Sequence, residues 1–575
     1  DDALAQPEAT SGFGRKPSVR ASRFMAATAN PLATDAAYDV LERGGTAVDA
    51  VVAAQMMLTL VEPQSSGIGG GAFLLTYDAA SGAVAAWDGR ETAPLAADQR
   101  LFLDARGRPL PFFSAVVGGR AVGVPGAVRM LETAHRTAGR LPWRDLLQPA
   151  IDAAADGFVV SRRLHALVSR DPFLPDDPVA ATYFHDAEGE PLQTGSTLRN
   201  PALARSLRSL AAHGSRYLHA GDLASAIVDK VRSHPRNPGL MTLADLAGYR
   251  ALQREPTCTP WLRWIVCGMP PPSSGGIGVA QLLGILAALP FDGLTSAGAA
   301  LDPQAVHLFA EAGRLAYADR DRHVADSDFV VLPLGLVDGS YLRRRAALVG
   351  ERSMGTATPG NPAAAGYPES GTSHVSVVDA DGNAAALTTS IENAFGSRQM
   401  VGGFLLNNQL TDFSFESGSA DAVANRLQPG KRPRSSMAPT LVFDREPAPS
   451  NAVAGAHAPA PSRGRLVMVT GSPGGSTIIN YVAKTLIATL QDGLDPQDAI
   501  SLPNLGSRNG PTELERGLLT PGLAEALMAR GHQVRELDMT SGTHSIVWRC
   551  DDRQTPGCAW LGAADPRREG TARGG

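Results

Sequence analysis

Thiols are scarce in this 575-residue chain, which holds four cysteines: Cys258, Cys267, Cys550 and Cys558. Neither close pair has the two-to-four-residue spacing of a zinc site and no histidine cluster accompanies them, so no metal is expected. Aromatic residues make up only 6% and charged residues 19%, with a net charge of −5. Without a basic surplus there is no electrostatic footprint for nucleic acid. No apolar run reaches about 18 residues, so no membrane span is expected. The motif-bearing blocks contain no Gly-x-Ser-x-Gly elbow, no phosphate loop ending in Gly-Lys-Ser/Thr, no His-Glu-x-x-His and no dinucleotide fingerprint. No cofactor is therefore expected. The chain starts at Asp1 with no charged-then-apolar leader, as either a removed signal peptide or trimming would leave it.

What is present is globular in composition, 43% hydrophobic. Residues 1–30 read as a polar extended arm. Thr34 can cap a helix through Leu41 that Gly44-Gly45 ends, and an apolar helix follows over 47–60. Helical stretches then alternate with Pro- and Gly-rich loops, and residues 301–317 have helical periodicity. Residues 351–371 read as a loop. Beyond it the apolar period becomes two: 375–379 and 384–389 are expected strands joined by a turn at Asp381-Gly382, with 403–407 and 466–470 as two more. A helix over 477–490 follows a Gly-rich loop. Residues 446–464, mostly Pro, Ala, Gly and Ser, read as a surface insertion. Cys550 and Cys558 flank the turn-like Asp-Asp-Arg-Gln-Thr-Pro-Gly, and a disulfide across that hairpin fits. Local pairing of both cysteine pairs would suit an oxidising compartment, with unpaired thiols as the alternative.

The most informative segment is Gly371-Thr372-Ser373-His374-Val375-Ser376-Val377-Val378-Asp379. A threonine hydroxyl is a weak nucleophile until a base stands beside it, and a threonine that begins a chain carries that base as its own α-amine. An internal threonine acquires the amine only when the preceding peptide bond breaks. Thr372 is thus read as a nucleophile made by cleavage between Gly371 and Thr372. Gly371 leaves the backbone free for the strained geometry of that attack. The released amine, with an ordinary pKa of about 8, can accept the hydroxyl proton and pass it to a leaving amine.

Further blocks accompany this segment: Gly69-Gly70-Gly71 with Phe73, Arg90-Glu91-Thr92-Ala93-Pro94, Met269 to Gly276, Phe395-Gly396, Leu406-Asn407-Asn408-Gln409, Asp412-Phe413-Ser414, Arg432-Pro433 with Ser435-Ser436-Met437, Gly471-Ser472-Pro473-Gly474-Gly475-Ser476 and Asp565-Pro566-Arg567. In this order, over nearly the whole chain, they resemble the γ-glutamyltransferase (γ-glutamyltranspeptidase) family of N-terminal-nucleophile hydrolases. The resemblance implies an α+β fold, a four-layer αββα sandwich built from two fragments of one precursor. The fragments would be 1–371 and 372–575, remaining together as a heterodimer. It implies that Ser390 holds the Thr372 hydroxyl and that Gly474 and Gly475 offer backbone N–H groups to an oxyanion. It places Arg90, Ser435 and Ser436 on the substrate's α-carboxylate and Gln409 and Asp412 on its α-ammonium. Small-molecule substrates are implied, glutathione and other γ-glutamyl amides, with amino acids, peptides or water as acceptors. A periplasmic or secreted location follows from family habit.

Two departures stand out. Glu392 occupies a position where the family commonly has Asn, near the bound α-amine. An added carboxylate there would grip an ammonium and raise the pKa of a nearby amine. Residues 413–433 contain no Tyr or Trp, whereas many members carry an aromatic lid, so a more open site favouring hydrolysis over transfer is expected. Glu392 also leaves room for a cephalosporin or glutaryl acylase with the same nucleophile. A non-enzymatic scaffold is the third reading, against which the intact Thr372, Ser390 and Gly474-Gly475 argue. His374 is read as structural, because an amine base makes it unnecessary.

Overall fold

The computed structural model describes residues 10–296, 300–333, 335–360, 372–415, 423–446, 462–550 and 557–575. Gly371 with the rest of the expected loop from 361, residues 447–461 of the expected insertion, and residues 1–9 of the arm lie outside the described residues.

Two seven-stranded antiparallel sheets form the centre. One runs in the order Val19–Ala21, Cys558–Ala564, His544–Cys550, Arg463–Gly471, Thr440–Arg445, Trp264–Gly268, Thr257–Trp261. The other runs Thr571–Gly574, Met25–Thr28, Ser373–Val378, Ala384–Ser390, Gly71–Asp78, Ala83–Gly89, Leu252–Arg254. The sheets face each other, and helices cover both outer sides. Pro31–Glu42, Ala47–Val61 and Ala127–Ala138 pack on the second sheet. Gly275–Leu286, Ile478–Leu486 and Pro496–Ser501 pack on the first, with Pro303–His323 outside Gly275–Leu286. This is the αββα sandwich that the resemblance implied. Within the segment read as an arm, Val19–Ala21 and Met25–Thr28 are strands, one in each sheet.

The local chemistry explains the elements. Every residue of Ala47–Val61 is buried, because the helix lies between a sheet and the helix Trp143–Asp156. Its start is fixed by a capping box: the Thr46 hydroxyl accepts from Asp49 N–H, and the Asp49 carboxylate accepts from Thr46 N–H. The preceding helix begins earlier than Thr34 suggested. Asn30 is its cap, accepting from Leu32 N–H at 3.0 Å, because Pro31 can occupy only the first turn. Thr34 is instead buried inside the helix and meets the Thr28 hydroxyl at 2.8 Å. The expected strand over 403–407 shrinks to Phe404–Leu405, since Gly402 and Gly403, at φ of 59° and 88°, make the turn of a short hairpin. Cys258–Cys267 and Cys550–Cys558 are disulfides between directly opposed strand residues. Among the described residues no helix is long and apolar enough to cross a membrane.

Candidate active site

Thr372 stands at the first position before the strand Ser373–Val378, in the middle of the second sheet. The register pairs Ser373 with Thr389, so one step further Thr372 faces Ser390. Alternation decides which way the side chains point. Val375 and Val377 join the core under the outer helices. His374 and Ser376 face the other sheet, where the His374 ring lies 6.4 Å from that of His544. Thr372 shares that inter-sheet side. His374 is fully buried, with Nδ1 2.9 Å from the Thr388 hydroxyl and Nε2 3.0 Å from the Ser376 hydroxyl. Burial, reinforced by His544, holds its pKa well below the ordinary histidine value. A ring kept neutral and tied at both nitrogens is a strut between strands.

A small cavity gathers Thr372, Ser390, Glu392, Gly475, Arg90, Gln409, Asp412 and Ser435, while Met437 and Ile478 supply apolar wall. Eight of the ten catalytic and substrate-binding positions expected from the sequence thus meet in one place. Gly474 and Ser436 adjoin the wall without lining it.

Arg90 and Asp412, expected at opposite charges of an amino acid, form an ion pair in which Arg90 Nη2 donates to Asp412 Oδ2 at 2.5 Å. Arg90 also donates from Nε to the Pro433 carbonyl at 3.1 Å and from Nη2 to the Arg434 carbonyl at 2.8 Å. Gln409 Nε2 donates to the same Asp412 oxygen at 2.7 Å, which leaves Gln409 Oε1 buried without a partner. An α-amino acid carries its carboxylate and ammonium on one carbon. An adjacent guanidinium and carboxylate, with an orphaned amide oxygen beside them, complement that zwitterion. Next to them Glu91 is fully buried 3.9 Å from Arg90, and burial raises its pKa to about 8, the guanidinium only partly opposing the rise.

Ser435 is held by its backbone: its N–H donates to Pro272 O at 3.1 Å and its carbonyl accepts from Ser274 N–H at 2.7 Å. Arg320 ties the neighbouring hydroxyls, donating from Nε to Ser274 Oγ at 2.8 Å and from Nη2 to Ser436 Oγ at 2.5 Å. The sequence singled out the serines and missed the arginine that spans them. Gly474 has φ 134° and a Cβ there would stand 2.4 Å from the Tyr481 ring. Gly475, at φ 58°, opens the tight turn Gly475–Thr477 that leads into Ile478–Leu486. Only glycine fits the torsion and the ring at 474, and the turn brings Gly475 into the cavity wall.

Glu392 departs in backbone as well as in charge. Its φ is +77°, in the left-handed region where Asn is tolerated and Glu is strained. Its N–H donates to Ser390 Oγ at 2.8 Å, and Asn408 Nδ2 donates to its carboxylate. Asn408 in turn accepts from Asn393 N–H at 2.9 Å, so the loop is pinned at several points. Asn408 stood in a quoted block, but nothing in the sequence placed it against Glu392.

A sandwich of two sheets with a threonine at the head of a central strand is the architecture of the N-terminal-nucleophile hydrolases. The chain belongs to the gamma-glutamyltranspeptidase family, whose model matches residues 33–575. It is 34% identical over 566 residues to the glutathione hydrolase proenzyme of Escherichia coli, covering 96% of this chain and 91% of that one. It is 34% identical over 567 residues to the acylase ACY 1 proenzyme of a Pseudomonas species, with 96% and 94% covered. Among solved structures, cephalosporin acylase from Bacillus halodurans superposes with a TM-score of 0.82 at 26% identity, over 99% of each chain.

Proposed function

We propose that this protein is a self-cleaving γ-glutamyl hydrolase and transpeptidase acting on glutathione and related γ-glutamyl amides. The observation that carries the reading is the Arg90–Asp412 pair, with Gln409 Oε1 beside it, in the same small cavity as Thr372. The Thr372 hydroxyl first attacks the Gly371 carbonyl; the peptide C–N bond breaks as the ester forms, which frees the threonine α-amine, and hydrolysis of that ester then releases the hydroxyl and the Gly371 carboxylate. In turnover that amine takes the hydroxyl proton as oxygen attacks the γ-carbonyl. Ser390 holds the hydroxyl, and Gly474 and Gly475 donate N–H groups to the oxyanion. Arg90, Ser435 and Ser436 take the α-carboxylate; Asp412, Gln409 and Glu392 take the α-ammonium. The amine returns its proton to the departing amide nitrogen, and water or an amino group then resolves the γ-glutamyl ester. The absence of Tyr and Trp from 413–433 favours water. The two fragments work as a heterodimer. The two disulfides suit a periplasmic or secreted location.

The second reading, a glutaryl-type acylase, draws support from the acylase relatives. Charge weighs against it. Two carboxylates, Glu392 and Asp412, face one guanidinium, Arg90, and that surplus is relieved by an acyl group carrying an ammonium. The test is kcat/KM on a γ-glutamyl anilide against the glutaryl anilide that lacks the amine. Preference for the γ-glutamyl compound by about tenfold or more, about 1.4 kcal/mol, is expected. Preference for the glutaryl compound would transfer the assignment to the acylase.

A further inference from the structure

Arg568, outside the cavity, donates from Nη1 to the carbonyl oxygen of Thr372 at 3.1 Å. The register explains why a side chain is needed. Val375 pairs with Thr28 on the neighbouring strand, so Thr372 falls opposite Pro31, where the chain has turned into a helix and no N–H exists. Arg568 supplies the donor that the sheet lacks. It is buried, and its Nε donates to the Ser541 carbonyl at 3.2 Å. A Cβ at the next residue, Gly542, would stand 2.7 Å from Arg568 Cδ and 2.5 Å from Pro473 Cγ. Pro473 precedes Gly474-Gly475. One side chain thus touches the nucleophile's backbone and the loop that supports the oxyanion turn.

The loop bearing Arg568 is clasped from the other end of the chain. Lys16 Nζ donates to the carbonyls of Asp565, Arg568 and Gly570 at 2.7, 2.7 and 2.6 Å. Ser11 N–H and Gly14 N–H donate to the Arg567 and Pro566 carbonyls, both at 2.9 Å. Residues 11–16 therefore brace 565–570, and 565–570 brace Thr372.

We infer that Arg568, seated by Lys16, is a positioning residue that holds Thr372 in place once it has become a chain terminus. The inference rests on Thr372 being the nucleophile. Cleavage removes the covalent anchor on one side of that residue, and terminal residues fray unless tied down. A charge-assisted hydrogen bond to its own carbonyl leaves both amine and hydroxyl available for chemistry.

The test compares Arg568→Gln and Arg568→Lys with the parent protein on whichever of the two anilides the parent hydrolyses, so the fate of the γ-glutamyl reading is a separate result. Arg568→Gln should lower kcat about tenfold or more with KM changed less than about threefold, and Arg568→Lys should recover most of the loss. Parental kcat in the glutamine variant, a loss confined to KM, or no rescue by lysine would overturn the proposal. Should the glutamine variant fail to fold or cut, Lys16→Met makes the same comparison with every cavity residue intact. A lowered kcat at unchanged KM supports the role, and parental kcat refutes it.

Discussion

The two halves of the proposed active site, one carrying the nucleophile and one the residues proposed to recognise the acyl group, are built in opposite ways. The nucleophile half is regular: Thr372 stands at the head of one central strand and Ser390 at the end of its neighbour, and a two-residue period with one register fixes their meeting. The recognition half is irregular. Arg90 follows a strand end, Gln409 and Asp412 lie in a single tight turn, Ser435 is in an extended segment, and Glu392 occupies a left-handed backbone position. Residues more than 300 positions apart, Arg90 and Asp412, are joined there by a buried ion pair. The regular half can be inherited unchanged by enzymes of different selectivity, because selectivity resides in loops that the strands only carry.

The largest expected effect breaks the regular half. Thr372→Ala should abolish turnover of any acyl anilide and leave one band on a denaturing gel in place of two. Two bands from this variant would remove Thr372 from the cleavage step. Next, Arg90→Gln strips the recognition half of its cation and leaves Asp412 buried beside Gln409. We expect kcat/KM for the γ-glutamyl anilide to fall by about 100-fold, about 3 kcal/mol, and self-cleavage to persist. Loss of both together would mean that the two halves are not separable.

Glu392→Asn sharpens the comparison at its hinge. The preference for γ-glutamyl over glutaryl anilide should narrow by about tenfold, while relief of the left-handed strain should add about 1 kcal/mol to stability in thermal unfolding. Unchanged selectivity would assign Glu392 to the loop and not to the ammonium. The last effect, on stability and not on turnover, concerns Glu91. Burial raises its folded pKa from 4.5 to about 8, so the folded state keeps the proton while the unfolded chain releases it. Its contribution is complete below the unfolded value and is lost as pH rises toward about 8. The melting temperature of Glu91→Gln should therefore gain on the parent between pH 5 and pH 8. A gap that stays constant over that range would mean that Glu91 is ionised in the fold.

The same division governs what the sequence made legible. The strand of the nucleophile, its return strand and the apolar helix over 47–60 follow from period and turn chemistry alone, which are local properties. The sandwich and the recognition residues came from the ordered blocks. No local pattern joins Arg90 to Asp412, Asn408 to Glu392, Arg320 to the serines or Arg568 to Thr372. Each of these contacts is made by a side chain crossing between distant segments, and an arginine on paper looks the same whether it is solvated or spans two loops. Thr34 shows the converse: a good cap by type, it was displaced by Asn30 because Pro31 dictates where the helix begins.

The strand Ser373–Val378 lies between Met25–Thr28 on one side and Ala384–Ser390 on the other. A break just before Thr372 would leave one fragment holding an inner strand of the other's sheet. Separation would then require unzipping a buried ladder, and neither piece would retain a complete core. Such a pair would separate only by unfolding: its dissociation would be as slow as its unfolding, its melting would depend on protein concentration because two chains are released, and fragments made apart would have no docking surface to find. Two chains in composition, the molecule would remain one in kinetics.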